Sequence, residues 1–269
     1  MSTFASTAAD SATMLRRNLK HQLRYPSLTL MLAGFPIVFL LLFVYVFGGQ
    51  LGTGLSVPGH LHGGRSAYLT YVAPGILIMT VASAALGTAI SVATDMTLGI
   101  IDRFRTMAIA RAAVLTGHVI GSLLQTLAVL ILVTAVAVAL GLRPTANPLA
   151  WLATAGVLAL FSLALIWLST ALGLAAKSVE TASNTPMFLT LLPFLSSGFV
   201  PTASLPAGLR QFAEYQPFTA VTQTVRALLA HTAIGAHAVQ AVAWSLGIAL
   251  ASYLWSIRLY ESRRAADPT

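Results

Sequence analysis

The chain's 269 residues are 57% hydrophobic and only 8% charged, which excludes an ordinary soluble domain, since about a quarter of a soluble chain is usually charged. Its formal charge of +8 sits in short clusters beside apolar runs, the pattern that orients membrane spans rather than a nucleic-acid face, so no nucleic-acid partner is expected. The chain has no cysteine, which excludes disulfides and thiolate metal sites.

Residues 12–24 carry Leu15, Leu19 and Leu23 on one helical face and Arg16, Arg17, Lys20 and Arg24 on the other. That pattern predicts an amphipathic helix suited to the membrane interface; a basic flank that merely orients the next span fits the same residues. Tyr25-Pro26 ends it, because proline disfavours helix in the residue before it. The first apolar run, 28–47, contains Pro36 and is followed by no small-residue cleavage site, so an uncleaved span is expected. The second span, 68–94, opens with Tyr68 and Tyr71 at interface depth.

A charged island follows at residues 95–111, with Asp95, Asp102, Arg103, Arg105 and Arg111. On a helix its Ile100, Ile101, Phe104, Met107 and Ala108 share one side, bordered by charge. Such a strip can seat in a groove of a partner protein or lie against lipid headgroups. Further spans are predicted at 116–140, 149–176, 182–200 (with Pro186 and Pro193 inside it) and 237–257.

Residues 201–235 are different. Pro206 and Pro217 break them into pieces marked by Leu205, Leu209 and Phe212, then by Phe218, Val221, Val225 and Leu228. Each piece is about 10–14 residues, short of the ~20 that cross a bilayer, which predicts re-entrant or interfacial helices. With the N-terminus in the cytoplasm, eleven of the fifteen Lys and Arg fall inside, leaving Arg65, Arg143, Arg210 and Arg226 outside. That bias predicts six spans with both termini cytoplasmic, in a single domain over residues 1–269.

The residues offer little chemistry. A phosphate-binding loop needs glycines before Lys-Ser or Lys-Thr, and Lys177-Ser178 follows Ala176. All seven acids fall in loops or at span ends, unlike the intramembrane acids of ion-driven carriers. Mid-span Gln125, Thr126, Thr134, Ser162, Ser169, Thr170 and Thr190 fit helix–helix contacts better than substrate binding. Ser196-Ser197-Gly198 fits packing better than a nucleophile turn, and His60 and His62 have no acid or cysteine nearby to complete a metal site. His21, His118 and His231 stand alone. A membrane subunit that depends on a partner for energy is the reading that remains.

Four stretches resemble the permease subunit of ABC-2 type exporters, of the daunorubicin and multidrug-resistance kind. They are FPIVFLLLFVYVFGG (35–49), YVAPGILIMTVASAALGTAISVATD (71–95), GIIDRFR (99–105) and LLPFLSSGFVPTASLPAGLRQFAEYQPFTAVTQTVRALL (191–229). Ala108 stands where that family usually carries proline. The resemblance implies an all-α integral membrane protein of six transmembrane helices. It implies a cytoplasmic coupling helix at 95–111, with Asp95, Gly99, Ile100, Asp102, Arg103, Phe104, Arg105 and Arg111 docking on an ABC ATPase. It makes Arg16, Arg17, Lys20 and Arg24 the interface helix. Pro201, Leu205, Pro206, Phe212, Pro217 and Arg226 would belong to an extracellular re-entrant cap. The chain would bind no cofactor, with ATP and magnesium on the separate ATPase subunits. Its other partners would be a second permease copy or a paralogue, and the lipids of the plasma membrane. A non-enzymatic exporter of hydrophobic or amphipathic drugs or lipid-like molecules is the function implied. A polysaccharide or glycolipid exporter permease and a non-transporting membrane scaffold are the alternatives.

Overall fold

The computed structural model describes residues 26–53, 64–97, 111–176 and 178–265. Among these the secondary structure is entirely helical. The first apolar run forms α1 (Pro26–Leu41), a π-helical turn (Leu42–Phe47) and α2 (Gly48–Leu51). Pro36 stays within α1, and the helical register changes only in the π turn beyond it. The second, third and fourth predicted spans are α3 (Arg65–Thr97), α4 (Arg111–Ala139) and α5 (Pro148–Ala175). Asn147 caps α5 by accepting from the Ala150 amide at 2.7 Å, with Pro148 at the first helical position, where a missing N–H costs nothing.

The fifth predicted span is not one helix. It divides into α6 (Val179–Asn184), α7 (Met187–Leu191) and a 3-10 turn (Leu192–Leu195). Pro186 stands at the start of α7 and Pro193 inside the 3-10 turn; neither has an N–H to donate to the preceding turn. Five helical stretches, rather than the expected six, are therefore long and apolar enough to cross a membrane among the described residues. The chain then makes a turn at 196–199, a short 3-10 helix (Thr202–Ser204), α8 (Ala207–Tyr215) and α9 (Pro217–Leu229), and ends in α10 (His237–Ala265).

The central element is α3. Of its most apolar window 72% is buried within the protein, against 17% for α10, which leaves α10 mostly open to lipid or a partner. Helices α1, α4, α5, α6, α7 and α9 all pack on α3, and α5 separates it from α10. Phe161 of α5 meets Phe218 of α9 edge-on at 5.2 Å, placing α9 in the same core. Close approach of α5 to α3 depends on Gly173, where a Cβ would lie 2.7 Å from the Ala89 carbonyl oxygen and 3.2 Å from Val92 Cβ.

Gly173→Leu should therefore lower stability by about 1–3 kcal/mol through overpacking, read as a lower melting temperature of the detergent-solubilised chain. Gly156→Leu, on the same helix but with nothing within 4 Å of its Cβ position, should be close to neutral. Equal effects at the two sites would contradict this packing.

Candidate functional site

The turn at 196–199 is held from two sides. Its first serine is committed to the turn itself: Ser196 Oγ donates to the Pro193 carbonyl at 2.6 Å and accepts from the Gly198 amide at 3.1 Å. From α3, the Tyr71 hydroxyl donates to the Ser197 carbonyl at 3.0 Å and the Tyr68 hydroxyl to the Phe199 carbonyl at 3.3 Å. From α9, Thr219 Oγ1 accepts from the Ser197 amide at 3.2 Å, and Arg226 Nη2 donates to the Ser197 carbonyl at 2.8 Å. Gln216, just before α9, donates to the Leu195 carbonyl. The Ser197 carbonyl oxygen thus uses both lone pairs, one for each flanking helix.

Arg226 is more than a donor to the turn. Its Nη2 also reaches the Tyr71 carbonyl at 3.0 Å, its Nη1 reaches Gln223 Oε1 at 3.1 Å, and its guanidinium carbon lies 4.0 Å from the Tyr71 ring centroid. The cation is thus solvated by carbonyl dipoles and an aromatic face. This close arrangement needs glycine on both sides. A Cβ at Gly75 would come within 2.6 Å of the Gly198 carbonyl oxygen, and one at Gly198 within 3.0 Å of Gly75 Cα. Phe199 completes the contact by stacking on Phe194 at 4.8 Å and packing against Phe43 at the same distance.

Beside α3 lies a cavity of about 660 Å³. Its walls come from α1 (Leu32, Phe35), the second half of α3 (Ser83 to Ser91), α4 (His118 to Thr126) and the α6–α7 segment (Ser183, Met187, Thr190). At one end His118 Nε2 lies 2.9 Å from Asp95 Oδ2, an ion pair or charge-assisted hydrogen bond that ties the last turn of α3 to the first turns of α4. Gln125, Thr126 and Thr190 line this cavity, whereas Ser162, Ser169 and Thr170 are buried in the helix packing as expected. His118 does not stand alone; its partner belongs to another helix, so linear spacing carries no trace of the pair.

Pro201 precedes the 3-10 turn at 202–204, Pro206 immediately precedes α8, and Pro217 is the first residue of α9. The two short pieces are helices as their proline boundaries predict, but they differ in burial. Phe218, Val221, Val225 and Leu228 of α9 are buried, whereas Leu209 and Phe212 of α8 are exposed and Leu205 is part-exposed. Arg226, counted among the outward charges from the sequence, is drawn into the protein by its carbonyl partners. Gly99, Ile100, Asp102, Arg103, Phe104, Arg105 and Ala108 lie outside the described residues, as do Arg16, Arg17, Lys20 and Arg24. Arg111 begins α4, with its side chain outside the described part.

An all-helical chain with several apolar spans, interrupted by short helices locked onto a central one, is a multi-pass membrane protein. The sequence matches the ABC-2 type transporter family over residues 11–230, and the chain belongs to that family. It is 26% identical over 262 residues to the daunorubicin resistance ABC transporter permease protein DrrB1 of Streptomyces coeruleorubidus, covering 97% of this chain and 89% of that protein.

Substituting Arg226→Met keeps a stem of similar length and removes the donors to Ser197 and Tyr71. The expected cost is about 1.5–3 kcal/mol, the usual worth of hydrogen bonds from a charged group. Tyr71→Phe removes the other donor to the same oxygen. Because the two share an acceptor, the double mutant should depart from additivity by roughly 0.5–3 kcal/mol. Strictly additive melting shifts would contradict the shared clamp.

Proposed function

We propose that the chain is the membrane-spanning permease subunit of an ATP-driven exporter, moving a hydrophobic or amphipathic drug or lipid-like molecule out of the cytoplasm. Near-full-length similarity to a permease named for daunorubicin resistance, together with membership of the ABC-2 type transporter family, carries this reading. In it, two permeases, identical or paralogous, form the pathway. Separate ABC ATPase subunits bind ATP and magnesium and dock on residues 95–111 from the cytoplasm, where both termini also lie. The basic helix at 12–24 rests in the membrane interface beside the docking site.

The described helices support a mechanical route. Residues 95–111 join α3 directly to α4, and the Asp95–His118 contact couples those two helices at the root of the island. A displacement applied to the island would therefore be delivered to both helices together. Helix α3 also carries Tyr68, Tyr71 and Gly75, so its motion would reach the 196–199 turn and α9. Packed helices and hydrogen-bonded turns shift between discrete arrangements rather than deform continuously, which suits an alternating pathway.

Reversing charge in the island tests the docking role. In the complex assembled with its ATPase, Asp102→Lys or Arg105→Glu should abolish most substrate-stimulated ATP hydrolysis. Unchanged stimulation with intact assembly would contradict a coupling role. Cells expressing this chain with the ATPase should also accumulate several-fold less daunorubicin than cells expressing the ATPase alone; equal accumulation would remove that drug from the substrate range.

A further inference from the structure

The contact between the 196–199 turn and α9 carries a cost that its hydrogen bonds do not remove. Ser197 is fully buried, yet its Oγ has no partner, and neither have Arg226 Nε and Gln216 Oε1. These are three of the six buried side-chain atoms without a partner among the described residues; the other three are serine oxygens within α5 and α10. Among the described residues no carboxylate pairs with Arg226; Glu214 is held by Arg210 and Asp95 by His118. A buried polar atom left unpaired penalises the state that buries it and regains partners when water reaches it. The closed contact is thus held by the bonds from Tyr68, Tyr71, Thr219 and Arg226 and opposed by the three orphaned atoms.

The two sides of this contact are unequally anchored. Helices α3 and α9 are set in the main core, with Ile76, Met79, Val221 and Val225 fully buried. Residues 192–206 contain only two 3-10 turns and the bend between them. Apart from Pro193, Phe199 is the only buried apolar side chain in that segment; Leu192 and Phe194 are partly buried, and Leu195 and Val200 are exposed. Pro193, Pro201 and Pro206 have no N–H with which to tie it further. A segment with little buried apolar surface, attached mainly by hydrogen bonds, is where local opening occurs.

We propose that residues 192–201 form a strap that lifts off α3 and α9 as a unit, hydrating Ser197 and Arg226 while those two helices stay packed. A shift of α3 that draws Tyr71 and Gly75 away from the turn releases it. In the exporter described above, release opens the end of α3 remote from Asp95 when the ATPase acts, and only this last step rests on that reading.

The chain has no cysteine, so single introduced thiols report opening in the full-length permease in nanodiscs, read as the rate of modification by a charged methanethiosulfonate. Ser197→Cys replaces an oxygen that bonds nothing, and Val225→Cys reports on the buried face of α9. Both thiols should be sealed in otherwise unsubstituted protein. Gly75→Ala would set a Cβ 2.6 Å from the Gly198 carbonyl oxygen. It should speed modification at position 197 by roughly tenfold or more, the scale of overpacking a close contact, with position 225 unchanged. Ser197→Ala should act in the opposite direction. In the Gly75→Ala background it removes an orphaned atom from the closed contact and should slow amide exchange of residues 196–199 several-fold. Equal acceleration at positions 197 and 225, no acceleration at 197, or faster exchange with Ser197→Ala would overturn the strap. In the complex with the ATPase, ATP turnover should speed modification at 197 and not at 225. Hydrolysis stimulated by the permease without that change would overturn the strap's part in transport. Hydrolysis indifferent to the permease would instead contradict the exporter reading and leave the Gly75→Ala result standing.

Discussion

The carbonyl oxygen of Ser197 is the point on which the arrangement of the short helices depends. Within a low-dielectric interior, non-helical backbone persists only where protein groups satisfy it, and the chain between α7 and α9 contains several such residues. Tyr68 and Tyr71 supply donors from one side, while Gln216, Thr219 and Arg226 supply partners from the other. The exchange is reciprocal, because the carbonyls also give the guanidinium of Arg226 the polar environment that lipid would deny it. Glycine at 75 and 198 lets the two backbones come close enough for these bonds to form. Alanine at Gly75 would gain about 1 kcal/mol of helix propensity, but its Cβ would collide with backbone, so steric exclusion outweighs propensity there.

That clamp gives α3 two roles along its length. Its first half anchors the 196–199 turn and α9, while its second half forms one wall of the cavity and carries Asp95 in its last turn. A single rigid element thus connects the clamped turn, the cavity and the charged island. In the proposed exporter the island receives the push of an ATPase, and the continuity of α3 supplies the means for it to reach the far end of the helix. The exposed apolar faces of α10 and α1, including Val239, Leu250, Leu30 and Val38, suit lipid or the second permease that this reading requires.

Much of this was legible in the sequence, for identifiable reasons. Apolar runs of about 20 residues match the thickness of a bilayer core and suit little else, so the first four predicted spans and the last one correspond to long helices. Prolines at 206 and 217 marked the starts of α8 and α9 because their missing N–H is harmless there. At 186 and 193 the same residue type divided a stretch that hydropathy alone joins into one span, which is where the expected count of six departs from the continuous helices. Membership of the family was legible from four stretches, and two of them meet in space: Tyr71 and Gly75 face the turn at Ser197 and Gly198, and Tyr71 also meets the guanidinium of Arg226. What sequence could not convey was pairing across helices. Neither the Asp95–His118 contact nor the internal position of Arg226 leaves a local signal. The cavity likewise arises from the relative placement of α1, α3, α4 and the α6–α7 segment.

Amide hydrogen exchange on the full-length chain in nanodiscs, followed through peptides spanning 194–200, measures the clamp most directly, because protection reports the free energy of local opening. The account predicts that the Ser197 and Gly198 amides exchange as slowly as the middle of α3, and that Arg226→Met accelerates them while α10 is unaffected. Exchange of this turn at the rate of an open surface loop in the unsubstituted protein would contradict it.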